Sequence, residues 1–187
     1  MRIIAGEFRS RHLKPVPGRN VRPTSDRLRE TLFNVLGAAV EGAVFVDAYA
    51  GTGAVGLEAL SRGAVQAIFL EESRGALRVL EENVTALGVD ARTRVLPGPA
   101  TTGLRRLGRE GLQPGFIFLD PPYQQADEYW DALAATAELG DALIVVEHAK
   151  RTSPRAPKEL ERLRLLEQGD SALSFYRMKQ PLRPAPS

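Results

Sequence analysis

The chain switches repeatedly between a hydrophobic pattern that suits a strand and one that suits a helix. Residues 43–49 (AVFVDAY), 67–71 (AIFLE), 93–98 (TRVLPG), 116–120 (FIFLD) and 142–147 (ALIVVE) are short, largely apolar runs, the pattern of strands covered on both faces. Between them, 53–63 (GAVGLEALSRG), 73–88 (SRGALRVLEENVTALG), 102–108 (TGLRRLG) and 128–140 (EYWDALAATAELG) repeat apolar residues at helical spacing. A further helix is predicted ahead of the first strand. Thr24, Ser25 or Asp26 can cap it, Leu28, Leu32, Phe33 and Leu36 form its stripe, and Gly37 closes it. Strands separated by helices imply a doubly wound α/β sheet, mostly parallel. Two last strands within 162–179 meet at Gly169-Asp170, a tight turn that makes them antiparallel. At the other end, residues 2–16 (RIIAGEFRSRHLKPV) alternate apolar and basic residues around Gly6, which predicts a short basic hairpin. The expected organisation is a hairpin extension over 1–20, one α/β domain over 21–180 and a flexible tail over 181–187.

Composition narrows the class. A hydrophobic content of 43% in 187 residues supports one core. The longest apolar runs fall far short of the roughly 20 residues that a membrane span needs, and the charged first residues do not form a secretory leader. A soluble, cytoplasmic monomer is expected. With no Cys and two His, disulfides and thiolate metal sites are excluded and a zinc centre has little to build on, so metal-free chemistry is expected. Net charge is only +2, but residues 1–36 hold eight Lys or Arg against three acids. Most of these cations are arginines, whose planar fork suits phosphate. Arg9, Arg11, Lys14, Arg19 and Arg22 are therefore candidate phosphate contacts.

The most informative spacing follows the first predicted strand. Gly51, Gly53 and Gly56 stand as G-x-G-x-x-G between strand and helix. In that motif the first Gly turns the chain, the second lets a ligand approach and the third lets helix and sheet pack closely. Glu71 lies 20 residues beyond Gly51, where a carboxylate can accept hydrogen bonds from ribose hydroxyls. A nicotinamide dinucleotide also fits these features. The other strand ends favour a different cofactor: they carry Asp47 and Asp-Pro-Pro-Tyr (120–123), and no proton donor for a carbonyl stands out. Methyl transfer needs only a nucleophile that is correctly placed and desolvated.

This arrangement resembles the S-adenosylmethionine-dependent methyltransferases. RIIAGEFRSRHLKPV, RPTSDRLRETLFNVL, DAYAGTGAVGLEALSRGA, FLDPPY and GDSALSFYR are similar to one family among them, the RsmD family, over about residues 2–178. The resemblance implies a Rossmann-like methyltransferase sheet, S-adenosylmethionine as cofactor, and methylation of the exocyclic N2 of a guanine in small-subunit ribosomal RNA, naked or within an assembling particle. It further implies cofactor contacts from Asp47, Tyr49, Gly51, Thr52, Gly53, Glu71 and Ala100; Thr24 can reach the cofactor as well as cap the following helix. Two positions depart from the family: Tyr49 replaces a usual Phe, and Pro99 stands where an acid often precedes Ala100, so a backbone contact to the cofactor's adenine is expected there.

The stretch 120–123 suits a planar amine whose lone pair is delocalised into a base. Asp120 and the carbonyl of Pro121 can accept its two N–H groups, Pro121 and Pro122 hold those acceptors rigidly, and Tyr123 can stack on the base. An adenine-N6 methyltransferase acting on RNA or DNA meets the same chemical problem. A non-catalytic RNA-binding assembly factor on the same scaffold is the alternative outside the class. Elsewhere, Tyr129, Trp130 and Leu133 are read as packing positions, His148 as a strand-end residue beside Glu147, and His12 as either an RNA contact or a surface residue.

Overall fold

The computed structural model describes residues 1–17, 25–121 and 126–179. Its strands are β1 Val44–Ala48, β2 Gln66–Glu71, β3 Thr93–Pro97, β4 Phe116–Leu119, β5 Leu143–Ala149, β6 Leu160–Gln168 and β7 Ser171–Met178. They form one sheet in the order β3-β2-β1-β4-β5-β7-β6. The first five are parallel, and β7 lies antiparallel between β5 and β6. The helices are α1 Asp26–Leu36, α2 Ala54–Ser61, α3 Arg74–Leu87, α4 Ala100–Arg109 and α5 Ala126–Ala135. Successive strand residues point to opposite faces. Phe45 and Phe118 therefore join the core under α1, α2 and α3, whereas Val46 and Leu119 join the core under α4 and α5.

Local chemistry sets the elements. Of the three candidate caps on α1, Ser25 takes the role, its Oγ accepting the Leu28 N–H at 3.1 Å. Phe33 of α1 then stacks on Phe45, and Phe45 on Phe116, each pair with ring centroids 6.0 Å apart. The N-terminal segment forms no strand over its described residues, 1–17. It closes through one antiparallel bridge between Arg2 and His12, with the Ile3 N–H donating to the Arg11 carbonyl at 2.9 Å. Ile3 and Leu13 are buried in the same core as α1 and α2, and the buried Glu58 carboxylate accepts the Ile4 and Ala5 N–H groups at 2.7 and 3.1 Å. This segment is thereby fastened to α2. The expected tail over 181–187 lies outside the described residues.

Chain order positions the site. From β1 the chain moves outward through β2 and β3, then returns to β4 on the other flank of β1. Such a reversal opens a crevice at the carboxyl ends of the two central strands. Asp47 pairs with Phe118 and Ala48 with Leu119, so Tyr49 and Asp120 leave the sheet together. Among the described residues, no helix is long and apolar enough to cross a membrane, and no three His, Cys, Asp or Glu side chains converge on a metal position.

Candidate active site

The glycine turn after β1 is held from several sides. Asp47, 2% exposed, accepts the Gly56 N–H on Oδ2 at 2.8 Å and so ties the strand to the first turn of α2. Burial pushes its carboxyl up to about 7, against the Gly56 hydrogen bond and with a further push from Glu71. Glu71 grips the turn from β2: Oε2 accepts the Gly51 N–H at 2.8 Å and Oε1 the Ser73 N–H at 2.7 Å. Each carboxylate oxygen has a second lone pair, which leaves capacity for a ribose hydroxyl. The expected ribose contact therefore shares its carboxylate with a structural duty.

The three glycines divide their work differently from the motif reading. A Cβ on Gly56 would stand 2.4 Å from Phe69 Cε1, in keeping with close helix–sheet packing. A Cβ on Gly53 would stand 2.3 Å from Leu80 Cδ1, so the absence of a side chain at this glycine makes room for α3. Gly51 is the open one, with φ +55° and nothing within 4 Å of its would-be Cβ. The open space along the turn is at Gly51.

Asn83 was not foreseen. It is 1% exposed, its Nδ2 donates to the Thr52 carbonyl at 3.0 Å and the Lys14 carbonyl at 3.2 Å, and its Oδ1 accepts the Lys14 N–H at 2.7 Å. One amide thus locks the glycine turn to the N-terminal segment. Its signal in the sequence is a polar residue on the apolar stripe of Leu80, Val84 and Leu87. The Thr52 hydroxyl contacts Met1 Sδ at 3.7 Å. Among the described residues, Tyr49 is one of two non-glycine residues with positive φ, +67°, and its hydroxyl donates to Glu128 Oε1 of α5 at 2.5 Å. A bulky residue in that region is strained, and the bond to α5 holds it there. Ala100 opens α4 behind Pro99, where first-turn N–H groups lack helical partners.

Across the crevice, Asp120 is half-buried and Pro121 buried. Leu119 pairs with Val146, so Glu147, 3% exposed, stands at the level of Asp120 on the next strand. Burial raises the Asp120 pKa well above the usual carboxylate range, and the charges of Glu147 and Asp47 raise it further. Behind the glycine turn, Arg29 is fully buried on α1, with Nη2 donating to the Arg2 carbonyl at 2.7 Å and to Asp26 at 2.9 Å. Burial lowers its pKa, opposed by Asp26, Glu58 and Asp47.

The structure brings Asp47, Tyr49, the glycine turn, Glu71, Ala100, Asp120 and Pro121 to one edge of the sheet. Pro122, Tyr123, Thr24, Arg19 and Arg22 lie outside the described residues. Arg9 is exposed, but Arg11 Nη2 donates to the Ala86 carbonyl at 2.7 Å and Lys14 pairs with Glu82 at 3.0 Å, so both are drawn onto α3. His148 is buried, its Nε2 2.8 Å from Ser174 Oγ and its Nδ1 2.9 Å from the Ala149 carbonyl, and burial lowers its pKa. Trp130 departs from the packing expectation: Tyr129 and Leu133 are buried, but Trp130 is 42% exposed.

A family profile described as "Conserved hypothetical protein 95" matches residues 1–177. "Ribosomal RNA small subunit methyltransferase D" of Escherichia coli K12 is 40% identical over 151 residues, covering 79% of this chain and 74% of that protein. The protein of the same name in Haemophilus influenzae is 34% identical over 185 residues, covering 96% and 93%. Among solved structures, a hypothetical protein of Thermus thermophilus superposes with a TM-score of 0.78 at 33% identity, covering 94% of this chain and 98% of the other.

Proposed function

The chain belongs to the RsmD-type family of S-adenosylmethionine-dependent methyltransferases, and from that premise we propose that it methylates the exocyclic N2 of a guanine in small-subunit ribosomal RNA. The observation that carries this reading is the position of Asp120-Pro121, at the end of β4 directly across the switch point from the glycine turn. The names of the two relatives, which specify small-subunit ribosomal RNA, support the substrate class.

The residues present fit the cofactor. Gly51 has open space where a side chain would stand, Glu71 retains lone pairs beside it, and Asp47 and Asp120 bring their carboxyls to the same edge of the sheet. Glu71 would hold the ribose, Gly51 to Gly53 the adjoining chain, and Ala100 the adenine edge. When bound, S-adenosylmethionine supplies an electrophilic methyl on a positively charged sulfur. Asp120 and the Pro121 carbonyl accept the two N–H groups of the base amine, which turns its lone pair toward the methyl. As positive charge develops on nitrogen, the ionised Asp120 stabilises it and is placed to take the proton released. Tyr123 supplies a stacking face.

Asp120→Ala separates this chemistry from cofactor binding. Its rate of methyl transfer to small-subunit ribosomal RNA is expected to fall about 10² to 10³ fold, as for loss of one preorganised charge-stabilising group. Cofactor affinity, measured by calorimetry, should stay within a few fold. Near-normal turnover would remove Asp120 from the chemistry.

A further inference from the structure

A cavity of about 380 Å³ lies between α5 and the β5–β6 connection, walled by Tyr129, Trp130, Thr152, Pro154 and Arg155 with Asp127 at its side. Both walls begin at the carboxyl edge of the sheet, where β4 and β5 deliver Asp120 and Glu147. Tyr129 belongs to cavity and clamp alike. Its ring lines the cavity, and the charges of Asp120 and Glu147, after burial, raise the pKa of its hydroxyl. That hydroxyl is buried and has no hydrogen-bond partner among the described residues.

The rim has the chemistry of a single-stranded nucleic-acid platform. Trp130, the only tryptophan in the chain, presents 42% of its surface to solvent. The connection 150–158 (KRTSPRAPK) carries four cations and no acid. Lys150 pairs with Glu167, whereas Arg151, Arg155 and Lys158 are exposed. Of these, Arg155 lines the cavity with Trp130, and an aromatic face beside an exposed cation lets a base stack while its phosphate is neutralised. Among the described cations of the N-terminal segment, Arg11 and Lys14 are already engaged on α3.

We propose that this cavity is the subsite for the RNA base next to the one being modified, with Trp130 as its stacking face and Arg155 on the adjoining phosphate. The proposal rests on the reading that the substrate is RNA. It gives the enzyme a grip on the strand beside the clamp, so that the target base is held out of its stack while Asp120 engages the amine.

The test uses the full chain and an unstructured single-stranded oligoribonucleotide carrying one guanine. Binding should quench the fluorescence of Trp130. By anisotropy of a labelled oligonucleotide, Trp130→Ala should weaken affinity about tenfold, the usual scale of a base–aromatic stack, whereas Trp130→Phe should retain most of it. Arg155→Gln should weaken binding and lower the salt dependence by less than one unit of log–log slope. An absent quench together with unchanged affinity in Trp130→Ala would overturn the subsite. Methyl transfer by the wild type to small-subunit ribosomal RNA is measured alongside. Normal transfer with an indifferent Trp130 removes the subsite alone, whereas neither transfer nor RNA binding by the wild type removes the RNA reading with it.

Discussion

Asp120 has to be an anion where burial, Glu147 and Asp47 all favour its neutral form. Only the ionised form accepts both the hydrogen bond and the proton of the amine, so the rate of transfer under saturating cofactor should rise with pH through the elevated pKa of this group. A profile flat from pH 5 to 9 would contradict that role. Asp47 makes the complementary point about stability. Its folded pKa of about 7 lies above the ordinary 3.8, so between those values the native state holds a proton that the unfolded chain has released. Its contribution is fully present below about pH 4 and is lost as pH rises through about 7. Asp47→Asn, which keeps an acceptor for the Gly56 N–H, should flatten this decline by a few kcal/mol between pH 4 and 8 in denaturant titrations. An unchanged slope would show that Asp47 ionises normally. These residues were legible as acids at strand ends. Their electrostatics were not, because they arise between β1, β2, β4 and β5, which only the sheet brings together.

At the scale of elements, the glycine turn shows what spacing can and cannot reveal. The G-x-G-x-x-G pattern located the turn, and Gly56 packs as the motif requires, but the open position is Gly51 and the crowded one Gly53. Sequence spacing carries no information about Leu80 of α3, which crosses over the turn. Substitution to Ala should separate the two positions. Gly53→Ala meets both positive φ and Leu80, and should lower stability by about 1 to 3 kcal/mol. Gly51→Ala bears only the backbone strain, about 1 kcal/mol, but should weaken cofactor binding more strongly because its methyl enters the open space beside the Glu71 carboxylate. Thermal melts and cofactor titrations of the two variants check this, and equal effects of both on stability and affinity would refute the division. The Tyr49–Glu128 and Asn83–Thr52 contacts were hidden for the same reason, each joining residues from separate elements. Trp130 was misread for a simpler one. Tyr129 and Leu133 are four apart and share a helix face, but Trp130 is one residue on from Tyr129, about 100° round the helix, and turns outward.

For the whole molecule, the order of strands and helices was legible because each strand is a short apolar run and each helix repeats at its own period. The position of β7 between β5 and β6 was not, since a hairpin can add to a sheet by either of its strands. The exposed, charged β6 occupies the edge, as expected of a strand that must discourage further pairing. This topology leaves the crevice between β1 and β4 as the meeting point of cofactor turn and amine clamp, and the account stands or falls on what that crevice methylates. The direct measurement supplies wild-type protein with isotopically labelled S-adenosylmethionine and unmodified small-subunit ribosomal RNA, both naked and assembled, then digests the product to nucleosides for mass spectrometry. The expected result is labelled N2-methylguanosine from at least one of the two substrates; labelled N6-methyladenosine in its place, or no labelled nucleoside from either, would contradict the account.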